Sequence, residues 1–278
     1  MKAAPFAYER PSDLKVAIVL MAEAKDTAKI IAGGQSLGPM LNLRLMQPDL
    51  IVDIAGLAEL KQVERSGDEL VIGACVTHGD IEDGRIPDVT RGAMQRVASA
   101  IAYRAVRNRG TIGGSLSHAD PAADWVSALP ALGAKVRLRS TSGVRDLAIE
   151  DFITGALESA LQAGEIVEAV RVPVMKSSAC WGYVKSCRKP GEFAHAIAAV
   201  LIDPEAAEAR IVIGAIETAP IVLRDASQLF GGHVTGNFRQ QFDARVADAL
   251  LVRAGVANAA DRHIHVAVLR RAIDEAAA

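Results

Sequence analysis

The sequence predicts an α+β protein of two domains, and three observations carry that reading. The chain has 278 residues, and single domains commonly hold about 100–200. Half of the residues are hydrophobic and 23% are charged, enough for sizeable cores and too apolar for disorder. Short apolar runs alternate with helical periodicity up to Lys176-Ser177-Ser178. Beyond that tripeptide, the expected domain boundary, strands come first and helices last.

The elements follow in order. Ser12 or Asp13 caps a helix that sets Leu14, Ala17, Ile18 and Met21 at helical spacing. Residues 29–32 form a short strand entering glycines, 36–45 hold a helical turn, 50–54 form a buried strand and 57–60 a short helix. Residues 61–65 and 69–74 flank Ser66-Gly67-Asp68 as a hairpin. Helices are expected over 89–102 and 124–132. Strands are expected over 135–139 and 165–173, with strand and turn over 144–151. In the second domain, strands over 180–185, 194–202 and 210–215 precede helices over 238–254 and 265–276.

Composition excludes several functions. A net charge of -2 gives no electrostatic case for nucleic acid or an anionic membrane. The cysteines, Cys75, Cys180 and Cys187, are odd in number and lack paired spacing, which argues for a reducing compartment. A cluster of iron and sulfur held in the usual way needs four thiolates, one more than this chain has. The N-terminus has no apolar core before Glu9 and Arg10, unlike a secretory leader, and no apolar run reaches the ~20 residues of a membrane span. A soluble cytoplasmic protein is expected.

Two stretches carry the chemistry. IAGGQSLG (31–38) and GTIGGSLS (110–117) each place a glycine pair before a serine. Glycine takes positive φ freely and lets backbone N–H groups line a concavity, which suits phosphate. Two such loops are expected to hold the two halves of one pyrophosphate. Neither has the spacing of a dinucleotide fingerprint or the Lys-Ser/Thr of a phosphate-binding loop. One pair alone reads more readily as a turn, and the two pairs with matching flanks together read as well as a ligand site as a turn.

Beyond these residues lies a resemblance. AGGQSLGPMLNLRLMQPDLIVDI (32–54) and VRNRGTIGGSLSHADPAADW (106–125) resemble the two FAD-binding motifs of the flavoprotein, or medium, subunit of molybdenum hydroxylases. The family includes carbon monoxide dehydrogenase, nicotine dehydrogenase, quinoline oxidoreductase and xanthine dehydrogenase. The likeness continues through VIGACVTHGDI (71–81), GEIVEAVRVP (164–173), GYVKSCRKPGEFAHAIAAV (182–200), APIVLRDASQLFGG (219–232) and VLRRAI (268–273). It implies a flavin domain of the vanillyl-alcohol oxidase/MurB-like (PCMH) type over 1–176, in lobes of about 1–57 and 58–176. It also implies a C-terminal domain over 177–278 with a three-stranded antiparallel sheet and a helix bundle.

The resemblance also implies roles. Ala32, Gly33, Gly34, Gln35 and Ser36, continued by Leu37, and Thr111, Gly113, Gly114 and Ser115 would wrap the FAD pyrophosphate, both stretches supplying unpaired N–H groups and hydroxyls. Asp124 would contact FAD, or else cap the helix at 125–132. Ile101 would lie against adenine or ribose, or in the core, and Ile166 near the adenine or the isoalloxazine. Thr77 and His78 follow a strand and either could approach the flavin, His78 reading better as a capped loop residue. Arg107 and Arg109 are expected to brace the loop rather than steer phosphate. Lys185 would stand near the isoalloxazine ring and raise its potential, or be a solvated strand lysine. Gln35 stands where covalent relatives carry a linking histidine, so FAD is expected to be non-covalent. Ala102-Tyr103-Arg104-Ala105 departs from the family's Ala-Asp-Pro-Gln.

The implied function is electron transfer. Substrate, an N-heteroaromatic, an aldehyde or carbon monoxide, would be oxidised at molybdopterin in a large subunit. Electrons would pass through two iron–sulfur clusters of a small subunit to FAD here and on to an acceptor, within a dimer of heterotrimers. The alternatives are a free-standing FAD-dependent oxidoreductase and a scaffold that has lost its FAD.

Overall fold

The computed structural model describes residues 2–24 and 27–278. A three-stranded parallel sheet opens the chain, ordered β1 (Ala7–Glu9), β3 (Leu50–Asp53), β2 (Ala28–Ile31). Helix α1 (Leu14–Ala24) buries Leu14, Ala17, Ile18 and Met21, the four positions that the periodicity singles out. The Asp13 carboxylate accepts from Val16 N–H at 2.9 Å and so starts it. Helix α2 (Leu37–Asn42) fills the crossover from β2 to β3. The edge strand β1 was not expected, because three exposed residues give no alternation to read.

A five-stranded antiparallel sheet follows, ordered β4 (Val63–Ser66), β5 (Glu69–Gly73), β10 (Ile166–Pro173), β6 (Lys135–Ser140), β7 (Gly143–Ala148). β10 enters last in sequence and lies in the middle, which explains its near-continuous apolar run. A small hairpin, β8 (Ile153–Gly155) and β9 (Glu158–Ser159), follows the short helix α8 (Ile149–Phe152). Between β5 and β6 lie α3 (His78–Glu82), α4 (Ala93–Ala100), α5 (Arg104–Arg107), α6 (Ile112–His118) and α7 (Asp124–Ala131). The helix expected over 89–102 begins only at Ala93. The Asp88 carboxylate ties down the N–H groups of Thr90 and Gly92, and Gly92 adopts φ +84.

The C-terminal sheet has the three long expected strands, β11 (Cys180–Ser186), β12 (Ala196–Asp203) and β13 (Glu208–Gly214). It gains a three-residue edge strand, β14 (Ile221–Leu223). The helix expected over 238–254 is two, α9 (Phe238–Gln241) and α10 (Ala244–Arg253). Asp243 breaks it by accepting from Arg245 N–H, as a helix cap does. α11 (Ala259–Ala276) starts earlier than expected because Asn258 caps it.

The two faces of this sheet belong to different cores. Tyr183, Ile197, Ala199 and Val212 pack into the core of the five-stranded sheet and α7. Ala198, Val200, Ile211 and Ile213 pack under α10 and α11. Gly214 sits so close to α7 that an added Cβ would overlap the Ser127 hydroxyl.

Candidate functional site

The first glycine stretch is an open loop. β2 ends at Ile31, the chain turns through residues 32–36, and Gly34 adopts φ +70. Gly38 N–H returns to the Gly34 carbonyl at 3.0 Å. The N–H groups of Gly33, Gly34, Gln35, Ser36 and Leu37 donate to no other group among the described residues. Gln35 and Ser36 are exposed. Five consecutive free donors with a hydroxyl beside them suit an anion.

The second stretch is built differently, and this corrects the expectation of a loop with unpaired N–H groups. Residues 112–118 are helix α6, capped by Thr111, whose hydroxyl accepts from Gly114 N–H at 3.1 Å. Ile112 N–H goes to the Val76 carbonyl and Gly113 N–H to that of Ala74, each at 3.0 Å, and Ser115 N–H goes to Thr111. These amides are already used. Gly113 serves packing, since an added Cβ would lie 2.5 Å from Ala74 Cβ. Gly114 is exposed and Ser115 half-buried, so this stretch offers a bare helix turn and a hydroxyl.

Tertiary structure brings the two stretches into contact. A Cβ on Gly33 would overlap the Arg109 carbonyl, so only glycine lets the first loop close on the residues before α6. Between them lies a crevice of about 210 Å³ lined by Ala32, Gly33, Thr77, Asn108, Arg109 and Thr111, with Lys61, Ala55 and Cys75 completing its wall. Burial pushes the Cys75 thiol up to about 12, so it is protonated and inert there.

Beneath this crevice sits His78. Thr77 caps α3 in a capping box with Asp80. His78 N–H bonds the Gly110 carbonyl at 2.9 Å, and Trp125 Nε1 donates to His78 Nδ1 at 3.1 Å. Burial first, and Arg107 second, push His78 down to about 4. It is a neutral, buried brace between α3 and α7, not a loop residue.

A second pocket, of about 550 Å³, opens beyond α5. Tyr103, Arg104, Arg107, Lys185, Cys187 and Gly191 are among its lining residues. Arg107 braces the rim of this pocket, not the glycine loop it was expected to brace. Nε and Nη2 hold Glu82, and Nη1 donates to the carbonyls of Ile101 and Ala102 at 2.9 and 3.0 Å. Arg109, with Nε 3.4 Å from the Gly33 carbonyl, stays exposed over the crevice. Lys185 is no solvated strand lysine, because Nζ donates to Asp124 Oδ1 at 2.8 Å and to the Ala100 carbonyl at 2.6 Å. Asp124 does not cap α7; Ala123 holds that position and Asp124 turns inward.

Ala32, Gly33, Thr77 and Thr111 therefore meet at the crevice, and Lys185 at the larger pocket. Gly34, Gln35, Ser36 and Leu37 continue the first loop, and Gly113, Gly114 and Ser115 the first turn of α6. Ile101 ends α4 half-buried, its carbonyl held by Arg107. Ile166 is 1% exposed in the core against α1 and is not brought to either opening. Sequence reasoning missed Asn108, which lines the crevice, and Tyr183, whose phenol donates to Asp124 Oδ1 at 2.7 Å. The signal for Tyr183 was available: it stands two before Lys185 in one strand, hence on the same face.

Residues 4–175 match the family described as FAD binding domain in molybdopterin dehydrogenase. The chain is 35% identical over 295 residues to caffeine dehydrogenase subunit beta of Pseudomonas sp. (strain CBB1), covering 97% of this chain and 100% of that protein. It is 33% identical to the carbon monoxide dehydrogenase medium chain of Hydrogenophaga pseudoflava, over 79% of this chain and 77% of that one. The fold superposes on carbon monoxide dehydrogenase from Hydrogenophaga pseudoflava lacking the Mo-pyranopterin moiety, with TM-score 0.87, 28% identity and coverage of 99% and 98% of the two chains. Quinoline 2-oxidoreductase from Pseudomonas putida 86 gives TM-score 0.85 at 31% identity, with coverage of 100% and 98%.

Proposed function

The chain belongs to the FAD-binding family of the molybdopterin dehydrogenases, and we propose that it is the FAD-carrying electron-transfer subunit of a molybdenum hydroxylase. Its partners are a small subunit with two iron–sulfur clusters and a large molybdopterin subunit, and the assembly is a cytoplasmic dimer of heterotrimers. Among the described residues no cluster of metal-ligating side chains occurs and no helix is long and apolar enough to cross a membrane. We assign the metal centres to the partners from the family resemblance.

The observation that carries this reading is the row of five free N–H groups, Gly33 to Leu37, which begins at Gly33 in the wall of the crevice that Arg109 and Thr111 also line. FAD fits there. The row and the Ser36 hydroxyl receive one phosphate of the pyrophosphate, and at the second stretch, whose amides are used, the Ser115 hydroxyl is the donor left for the other. Arg109 adds a charge over the crevice. The 550 Å³ pocket takes the isoalloxazine ring beside Lys185 and Arg107. FAD supplies the redox chemistry when bound. The chain's residues hold the phosphates, orient the ring and place a fixed cation beside it. Gln35 has no nucleophile to link the cofactor, so binding is non-covalent. The flavin domain spans 1–176, in lobes of about 1–57 and 58–176, and the C-terminal domain spans 177–278.

The test is purification with whatever chains bind it, followed by heat release of the flavin and a metal assay. Released FAD, with molybdenum and iron in one larger and one smaller partner chain, is the expected result. FAD without partners or metal would favour a free-standing flavoenzyme, and no flavin would overturn the reading.

A further inference from the structure

A buried polar chain lies beneath the larger pocket, and holding FAD does not by itself require it. The Tyr183 phenol donates to Asp124 Oδ1 at 2.7 Å. Lys185 Nζ donates to the same oxygen at 2.8 Å and to the Ala100 carbonyl at 2.6 Å. These four residues come from three elements: β11, α7 and the end of α4. Tyr183 is 6% exposed and Asp124 7%. Burying a carboxylate and an ammonium together is costly unless geometry and further hydrogen bonds compensate, so a spare donor on the carboxylate matters.

The geometry limits what each group can do. An ammonium has three N–H bonds. Two of those on Lys185 are fixed inside the protein, and Lys185 lines the pocket, so the third is the one left for a ligand there. The field that a ligand feels depends on how far Asp124 cancels this cation. A carboxylate that accepts from a second donor shares its negative charge over both bonds and cancels the ammonium less. Tyr183 is that second donor. Burial, and then the charge of Asp124, hold its phenol well above the usual range, so it keeps its proton. Its ring is fixed in turn by stacking on Trp181, with centroids 6.5 Å apart and planes 2° apart.

We propose that Tyr183 is a positioning residue that acts through Lys185: by sharing Asp124 Oδ1, it leaves the Lys185 ammonium effective at the pocket and so raises the reduction potential of the flavin ring bound there. This rests on the reading that the ring of FAD occupies that pocket. Tyr183 does not line that pocket; it acts on the charge of a residue that does.

The experiment is a spectroelectrochemical titration of bound FAD in the assembled holoprotein, for wild type, Tyr183→Phe, Lys185→Met and the double variant. Tyr183→Phe keeps the ring and its stacking, so FAD content should stay at the wild-type level while the midpoint potential moves negative. Lys185→Met should move it further in the same direction. In the Lys185→Met background, adding Tyr183→Phe should move it no more, since the effect passes through the lysine. A Tyr183→Phe protein with full FAD and an unchanged potential would overturn the proposal. So would a shift that persists undiminished without Lys185, or loss of flavin from Tyr183→Phe where wild type retains it. If Tyr183→Phe does not fold, Asp124→Asn tests the same chain, and an unmoved potential in its FAD-loaded form overturns the proposal. Wild-type protein free of flavin would instead count against the cofactor reading itself.

Discussion

The two glycine stretches look alike in sequence and do opposite things in the structure. Gly33-Gly34 follows a strand, bends through a positive φ and leaves five N–H groups free. Gly113-Gly114 lies in the first turn of a helix, with the amides of residues 112–115 already bonded to Val76, Ala74 and Thr111. In the first stretch, glycine exposes the backbone to a ligand. In the second, it lets α6 press against the strand end at Ala74. Local composition marks a close backbone approach in both cases. What approaches, ligand or protein, is decided by the partner segment.

The strongest way to break this comparison is a methyl group at Gly33. Its Cβ would strike the Arg109 backbone, and backbone cannot rotate away as a side chain can. Overpacking of this kind costs about 3 kcal/mol. Gly33→Ala should lose both stability and FAD, measured by a urea melt and by flavin released per chain. A variant with normal FAD content would show that the two stretches need not touch.

Acid sharpens the contrast next, because the neutral His78 lies under the second stretch only. Its pKa in the folded chain, about 4, is below its ordinary 6.5. The unfolded chain therefore takes up a proton first. The contribution is complete above pH 6.5 and is lost as pH falls from 6.5 towards 4, to a total of about 3 kcal/mol. His265 is shifted the same way by burial and adds to the slope. Unfolding free energies at several pH values across that window should fall more shallowly for His78→Gln than for wild type. Equal slopes would remove His78 from this role.

Two hydroxyl deletions separate the stretches most directly. Ser36→Ala removes an exposed donor with no protein partner, so stability should stay within about 0.5 kcal/mol. Loss of a hydrogen bond to a charged phosphate corresponds to about 1.5–3 kcal/mol, so FAD binding should weaken roughly tenfold or more. Thr111→Ala should behave in the opposite way, costing about 1 kcal/mol of stability as a lost helix cap. Its FAD affinity should change less than that of Ser36→Ala. Flavin fluorescence titration and thermal melts of the two variants, run together, check both statements. Matching profiles would erase the distinction between loop and helix.

Much of the molecule was legible before the structure. The periodicity of α1, the hairpin around Gly67 and the long strands of the C-terminal sheet follow from the spacing of apolar residues, which the cores then bury. Both glycine stretches stand out for the same local reason. Legibility fails where a side chain competes with the backbone. The Asp88 carboxylate delays α4, and Asp243 splits the helix expected over 238–254. It also fails where the deciding contact is distant in sequence. Asp124 turns from the helix start to meet Tyr183 and Lys185, 59 and 61 residues away. Ile166 matches a binding position by resemblance, yet the packing of α1 against β10 encloses it.

By itself, then, the sequence determined where α1, the hairpin around Gly67 and the long C-terminal strands run, that two places need glycine, and which family the chain resembles. These depend on periodicity and on backbone sterics, both properties of neighbouring residues. Only the tertiary structure decided which glycine stretch keeps its N–H groups free, how Arg109 closes on Gly33, and that Lys185 is held by a buried carboxylate shared with Tyr183. A hydrogen-bond donor is available to a ligand only if no carbonyl of the fold reaches it first, and that depends on segments far away in the chain.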